Sequence, residues 1–94
     1  MKPITYATVP SHIVSICGRM DADGWGTVDP SEPGSREVEF TFSIQDDGSG
    51  NFLLVCSSLD GTAYADTWHQ TQEEAMECAE SKFGVRHSSW VLVR

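Results

Sequence analysis

Three cysteines, Cys17, Cys56 and Cys78, and three histidines are the side chains of this chain that could act as nucleophiles, bases or soft metal ligands. His69, Cys78 and His87 lie nearest one another in sequence. Zinc sites draw Cys and His at short recurrent spacings, and these three match no such pattern. A Cys–His nucleophile also needs a loop of backbone donors for the oxyanion, and the chain has no glycine-framed elbow that would supply one. Neither G-x-x-x-x-G-K-[ST] nor G-x-G-x-x-G is present; Gly48-Ser49-Gly50 reads as hairpin punctuation, which argues against nucleotide binding. The reading is therefore a non-enzymatic protein with no catalytic residue and no cofactor. A small enzyme using the Cys and His residues stands as the alternative.

A second set of residues suits a hard cation. Asp21, Asp23, Asp29 and Glu32 fall within twelve residues, with Gly26 and Val28 between them. This stretch resembles the calcium loop of EF-hand proteins, with carboxylates at its first, third, ninth and twelfth positions, a glycine at the sharp turn and an apolar residue after it. The resemblance implies a calcium- or metal-responsive protein using those four carboxylates. Trp25 stands where a further oxygen ligand is usual, while Pro30 and Pro33 obstruct an exiting helix and Gly18 weakens an entering one. The loop is thus expected to bind calcium weakly or not at all.

Charge narrows the partners. The formal net charge is −8, a sign that repels phosphate and anionic lipid, so no nucleic-acid and no membrane partner is expected. All fourteen acids lie between Asp21 and Glu80 with only Arg36 opposing them, a net of −13 over that span. Such a field suits a basic protein or a cation, and it also serves solubility alone. An odd number of cysteines without C-x-x-C spacing argues against a disulfide framework and for a reduced, cytoplasmic setting. The N-terminal residues are interrupted by Thr5, Pro10, Ser11 and His12, unlike a secretory signal, and no run reaches the length of a membrane span.

These side chains need a scaffold to position them. At 94 residues the chain forms one domain, 1–94, with residues 18–35 as a long acidic Gly/Pro-rich loop. A first strand is expected over 12–17. Glu37 to Gln45 alternates strictly, placing Val38, Phe40, Phe42 and Ile44 on one face. Asn51 to Leu59 reads as a central strand, and Asp60-Gly61 as a type I′ turn leading to a strand over Thr62 to His69. Opposing Leu59 with Thr62 sets Leu53 beside Trp68, Val55 beside Asp66 and Ser57 beside Tyr64. Gln45 opposite Asn51 continues the register. Thr71-Gln72-Glu73-Glu74 is a capping box, and a helix over about 72–83 ends at Gly84, with Ala75, Met76, Ala79 and Phe83 turned inward. Residues 89–93 suggest an edge strand or an apolar tail. The expected fold is α+β: an antiparallel meander of about four or five strands with one helix packed on one face.

That register assembles the principal candidate site. Trp68, Tyr64, Leu53, Val55, Asp66, Glu39 and Glu37 fall on the face opposite the helix, an aromatic and acidic surface of the kind that docks a basic protein. The same face is a candidate for homodimer contact. Glu73, Glu74, Glu77 and Glu80 on the helix form a second candidate surface. From Tyr64 to Trp90, the run Asp66-Thr67-Trp68-His69, Thr71, Glu73-Glu74-Ala75, Ala79-Glu80, Phe83-Gly84-Val85 and Trp90 resembles a pattern of small uncharacterised bacterial proteins. Some proteins of this sheet-plus-helix build are immunity proteins of toxin systems. The resemblance implies an inhibitor or immunity-type protein that masks a basic partner, a toxin or an enzyme.

Overall fold

A computed structural model describes residues 4–19 and 24–93. The elements run β1 (Ile4–Arg19), β2 (Gly24–Thr27), β3 (Arg36–Asp46), β4 (Phe52–Ser58), β5 (Tyr64–His69), α1 (Gln72–Phe83), a 3-10 turn (His87–Ser89) and β6 (Val91–Leu92). They form one antiparallel sheet in the order β2-β1-β3-β4-β5, with β6 pairing β1. The α+β class holds, and the sheet is curled into a half-barrel rather than laid out as a plain meander.

β1 is much longer than the expected strand over 12–17. Its register on β3 shifts between Val9 and His12, and Pro10 falls inside that shift. A bulge is where a strand tolerates a residue with no N–H to donate, so the chain continues through the proline instead of stopping at it. The bulge also restores the facing: Ala7 and Val9 before it, and Val14 and Ile16 after it, are all buried on one side. Part of the expected 18–35 loop is strand as well, since β2 doubles back on β1 with Cys17 opposite Gly26. Gly18 permits the reversal. It has φ +85°, and a Cβ there would sit 2.2 Å from the Gly24 carbonyl oxygen.

The β3–β4–β5 faces are as the alternation requires. Phe40, Phe42, Ile44, Leu54 and Cys56 are buried, whereas Leu53 opposes Trp68, Val55 opposes Asp66 and Ser57 opposes Tyr64 on the other side. Two turns differ from expectation. Gln45 opposes Leu53, not Asn51, because the Asp47 carboxylate accepts from the Ser49 backbone and hydroxyl and holds a longer loop. The pairing slips by two residues, an even number, so no side chain changes face. The Asp60-Gly61 turn is not type I′, since only Gly61 has positive φ. Asp60 instead takes the Thr62 N–H and hydroxyl at 3.0 and 2.7 Å, a local carboxylate cap that leaves Gly61 as the one left-handed residue of the turn.

The helix begins where Thr71 Oγ1 accepts from Glu74 N at 3.1 Å and ends at left-handed Gly84, with Ala75 and Ala79 buried against the sheet. Phe83 joins a cluster with Phe40 and Phe42 at centroid separations of 6.2 and 5.2 Å. Trp25 of β2 packs on Phe40 and Phe83, and its indole N–H donates to the Tyr64 carbonyl of β5 at 3.1 Å. The two end strands of the sheet are thereby linked across the concave face. His12 Nε2 lies 2.8 Å from the Phe83 carbonyl oxygen and ties the helix end to β1.

Two stability measurements follow. Phe42 is fully buried among other rings, so Phe42→Ala is expected to lower unfolding free energy by about 3–5 kcal/mol; an unchanged urea midpoint would rule out this register. The hydroxyl and N–H of Thr62 hold the Asp60 carboxyl down to about 2. A depressed carboxyl contributes stability above its unfolded value of about 3.9 and loses it as pH falls through the folded value. The β4–β5 turn should therefore weaken between about pH 4 and 2, read by amide exchange at Thr62 and Ala63, and Asp60→Asn should flatten that dependence.

Candidate functional site: the convex face of the sheet

The side of the sheet away from α1 carries the residues that the register assembles. β5 alternates Tyr64, Asp66 and Trp68 outward, 46% and 63% exposed at the two aromatics. Half-buried Val55 and Leu53 lie directly across from Asp66 and Trp68. On β3, Ser43 and Gln45 continue those two rows, and exposed Glu39 and Glu37 follow toward its start. From the Glu37 row to the Trp68 row the strip runs about 27 Å at 3.4 Å per residue.

The face is open because each segment that could cover it is used elsewhere. β1 lies within the sheet, β2 turns Trp25 to the concave side, and α1 occupies that same side. Among the described residues, nothing of the chain lies over Tyr64 and Trp68.

Within the strip, the Tyr64 hydroxyl donates to Asp66 Oδ2 at 3.1 Å. Slight desolvation, followed by that bond and the carboxylate's charge, raises the phenol above its usual value, so the ring stays neutral. The Ser11 hydroxyl donates to Glu39 Oε2. Two further apolar side chains, absent from the expected set, border Glu39: Ile13 stands opposite it on β1, and the Leu59 N–H donates to its carbonyl at 2.9 Å. They are 53% and 58% exposed. Ile13 could have been found as the outward residue between His12 and Val14, and Leu59 as the next step after Leu53, Val55 and Ser57 on one face.

Glu73, Glu74, Glu77 and Glu80 are all exposed on α1. This second surface is not remote from the first. A cleft of about 390 Å³ lined by Asn51, Trp68, His69, Gln70 and Glu74 joins the aromatic end of the sheet face to the helix's first turn.

The remaining candidates are dispersed. Asp21 and Asp23 lie outside the described residues. Asp29 is occupied by the Ser31 N–H and hydroxyl, at 2.9 and 2.7 Å, which lower its pKa, and Glu32 is exposed. Gly24–Thr27, the middle of the calcium-loop resemblance, pair with β1 as extended strand rather than turning about a central point. His69 Nε2 is 2.7 Å from the Thr67 hydroxyl, Cys78 lines a small void of about 40 Å³ with Cys56, and His87 sits exposed in the 3-10 turn. Among the described residues no three His, Cys, Asp or Glu side chains converge as a metal site would require. Burial, with a lesser push from Cys78, raises the Cys56 thiol to about 12, which keeps it protonated and unreactive.

Comparison with protein-family models, with curated proteins and with solved structures finds no match to this chain. Among the described residues no helix is long and apolar enough to cross a membrane.

The contrast among the thiols is measurable. At pH 8, iodoacetamide should modify the half-buried Cys17 and Cys78 while Cys56 reacts only after denaturation, as read by peptide mass spectrometry; labelling of Cys56 at the rate of the others in the folded protein would contradict its burial.

Proposed function

We propose that this protein is a non-enzymatic binding module whose convex sheet face docks a basic protein and masks it, in the manner of an inhibitor or immunity-type protein. The observation that carries the reading is the exposure of Trp68 and Tyr64 side by side with Asp66 on a face that the chain's own elements leave open. An exposed indole at 63% loses apolar contact with water only when a partner covers it, and aromatics at the centre of an interface dominate its energetics. Glu37, Glu39 and Asp66 on the same face, with Glu74 at its end, select a cationic partner and speed its approach.

The charges also favour a foreign partner over a second copy. Pairing this face with itself would bring Glu37, Glu39 and Asp66 against like charges, which costs most where water is excluded. A basic partner relieves that repulsion. Three free cysteines suit a reduced compartment, and we place this activity in the cytoplasm.

The test is comparative capture. Wild-type protein and folded Trp68→Ala and Tyr64→Ala variants are immobilised and exposed to host extract at low and high salt. A basic protein should be retained by wild type and lost from both variants, with each truncation costing at least about 2 kcal/mol, chiefly through faster dissociation. With that protein purified, Glu39→Gln and Asp66→Asn should slow association and flatten its salt dependence. Retention of the same protein by the folded aromatic variants would exclude this face.

A further inference from the structure

A second cleft lies on the other side of the sheet, where the ends of the half-barrel approach each other. Trp25, Gly26 and Thr27 of β2, Ala65 of β5, and Lys82 and Phe83 of α1 line an open cleft of about 390 Å³. That volume is within the range that holds small organic ligands. Two aromatic rings packed on each other line one side of it, their centroids 6.2 Å apart and their planes inclined by 33°.

The walls are held in place before any ligand arrives. The Trp25 indole is fixed by its N–H bond to the Tyr64 carbonyl and by packing on Phe40 at 5.4 Å. Phe83 is fixed by its own contacts to Phe40 and Phe42, and His12 occupies its carbonyl oxygen. Two of the last carbonyls of α1 are occupied as well, since Gly84 N and Val85 N donate to Glu80 and Ala79. The helix end therefore does not present bare carbonyl oxygens of Phe83, Glu80 or Ala79 to the cleft.

Lys82 is the one charged residue among the six that line it. In a chain of net charge −8, a concavity with aromatic walls and a single ammonium contrasts with the rest of the surface. The neighbouring cleft of about 420 Å³, which shares Thr27, Lys82 and Phe83, includes Asp29 and lacks Trp25.

We infer that the cleft between β2 and β5 binds a planar aromatic monoanion, its ring against Trp25 and Phe83 and its carboxylate on the Lys82 ammonium, with the Thr27 hydroxyl available as a second donor. The ring supplies stacking area on rigid partners, and the ammonium supplies a charge-assisted bond. This site lies on the concave side and does not depend on the docking role of the convex face.

The probe is 1-naphthoate, titrated into uniformly nitrogen-15-labelled protein and followed by proton–nitrogen correlation spectra. Shifts should saturate by about 1 mM and concentrate at the Trp25 indole N–H and the amides of Thr27, Ala65 and Phe83. Lys82→Gln, an exposed substitution that leaves the fold intact, should weaken 1-naphthoate about tenfold, the loss expected for one charge-assisted bond. Uncharged 1-naphthalenemethanol should bind more weakly than 1-naphthoate and with equal affinity to wild type and Lys82→Gln. Trp68→Phe should leave 1-naphthoate binding unchanged. Shifts centred on Tyr64 and Trp68, shifts that never saturate, or a Lys82→Gln variant that binds 1-naphthoate as wild type does would each overturn the site.

Discussion

The contact on which the rest of the architecture turns is the indole of Trp25, which reaches from one end strand of the sheet to the backbone of the other. A five-strand path of antiparallel sheet already twists, but twist alone does not bring its ends within reach of one side chain. The indole supplies both parts of what closure needs. Its ring fills the concavity against Phe40 and Phe83, and its N–H satisfies the Tyr64 carbonyl, an edge group that would otherwise face solvent. Gly18 is the backbone condition for this arrangement, because β2 can return along β1 only where no Cβ obstructs the Gly24 carbonyl.

Curling divides the two faces of the sheet unequally. A single twelve-residue helix is enough to close a concave surface whose interior is already filled by Phe40, Phe42, Phe83 and Trp25. The convex surface is the larger of the two and receives no layer. A chain of 94 residues builds one core, and that core sits on the inside of the curl. The exposure of Trp68, Tyr64, Ile13 and Leu59 is thus a consequence of where the one helix goes, and the acids among them keep the face wet.

What was legible in the chain follows the range of the interactions involved. The period-two alternation of β3, the register of β4 on β5, and the Thr71 cap and Gly84 stop of α1 are local, and each stands as the residue pattern indicates. The convex strip was legible for the same reason, since the facing of Tyr64, Asp66 and Trp68 needs only the parity of the hairpin. The turns were less so: Asp47 and Asp60 settle their loops with side-chain caps, which compete with the tight two-residue turn that Asp60-Gly61 suggests. β1 and β2 were hidden by Pro10 and by the glycines of 18–35, which read as breaks when taken alone. Only partners distant in sequence, β3 for the bulged strand and the Tyr64 carbonyl for Trp25, make them part of the sheet. The concave cleft was invisible on the same ground, because its six residues come from three separate elements.

An open apolar face is a hazard for a sheet protein, and the pattern on this one shows how the hazard is contained. Within the strip each exposed hydrophobic pair is interrupted by an acid, Glu39 between Ile13 and Leu59 and Asp66 between Tyr64 and Trp68, whereas Val91, Leu92 and Val93 at and just after β6 are exposed with none between them. Along β5 the alternation places ring, carboxylate and ring at steps of about 7 Å. A second copy laid on this strip would bring an acidic surface against itself, with no basic side chain on the strip to offset it. The same spacing restricts which foreign surface can cover the rings, since covering Tyr64 and Trp68 together buries Asp66 between them. A buried carboxylate without a counter-charge is costly, and one facing a positioned cation is not. Asp66 thus carries two constraints at once: uncovered, it breaks the apolar run of β5, and covered, it is stable only against a positioned cation.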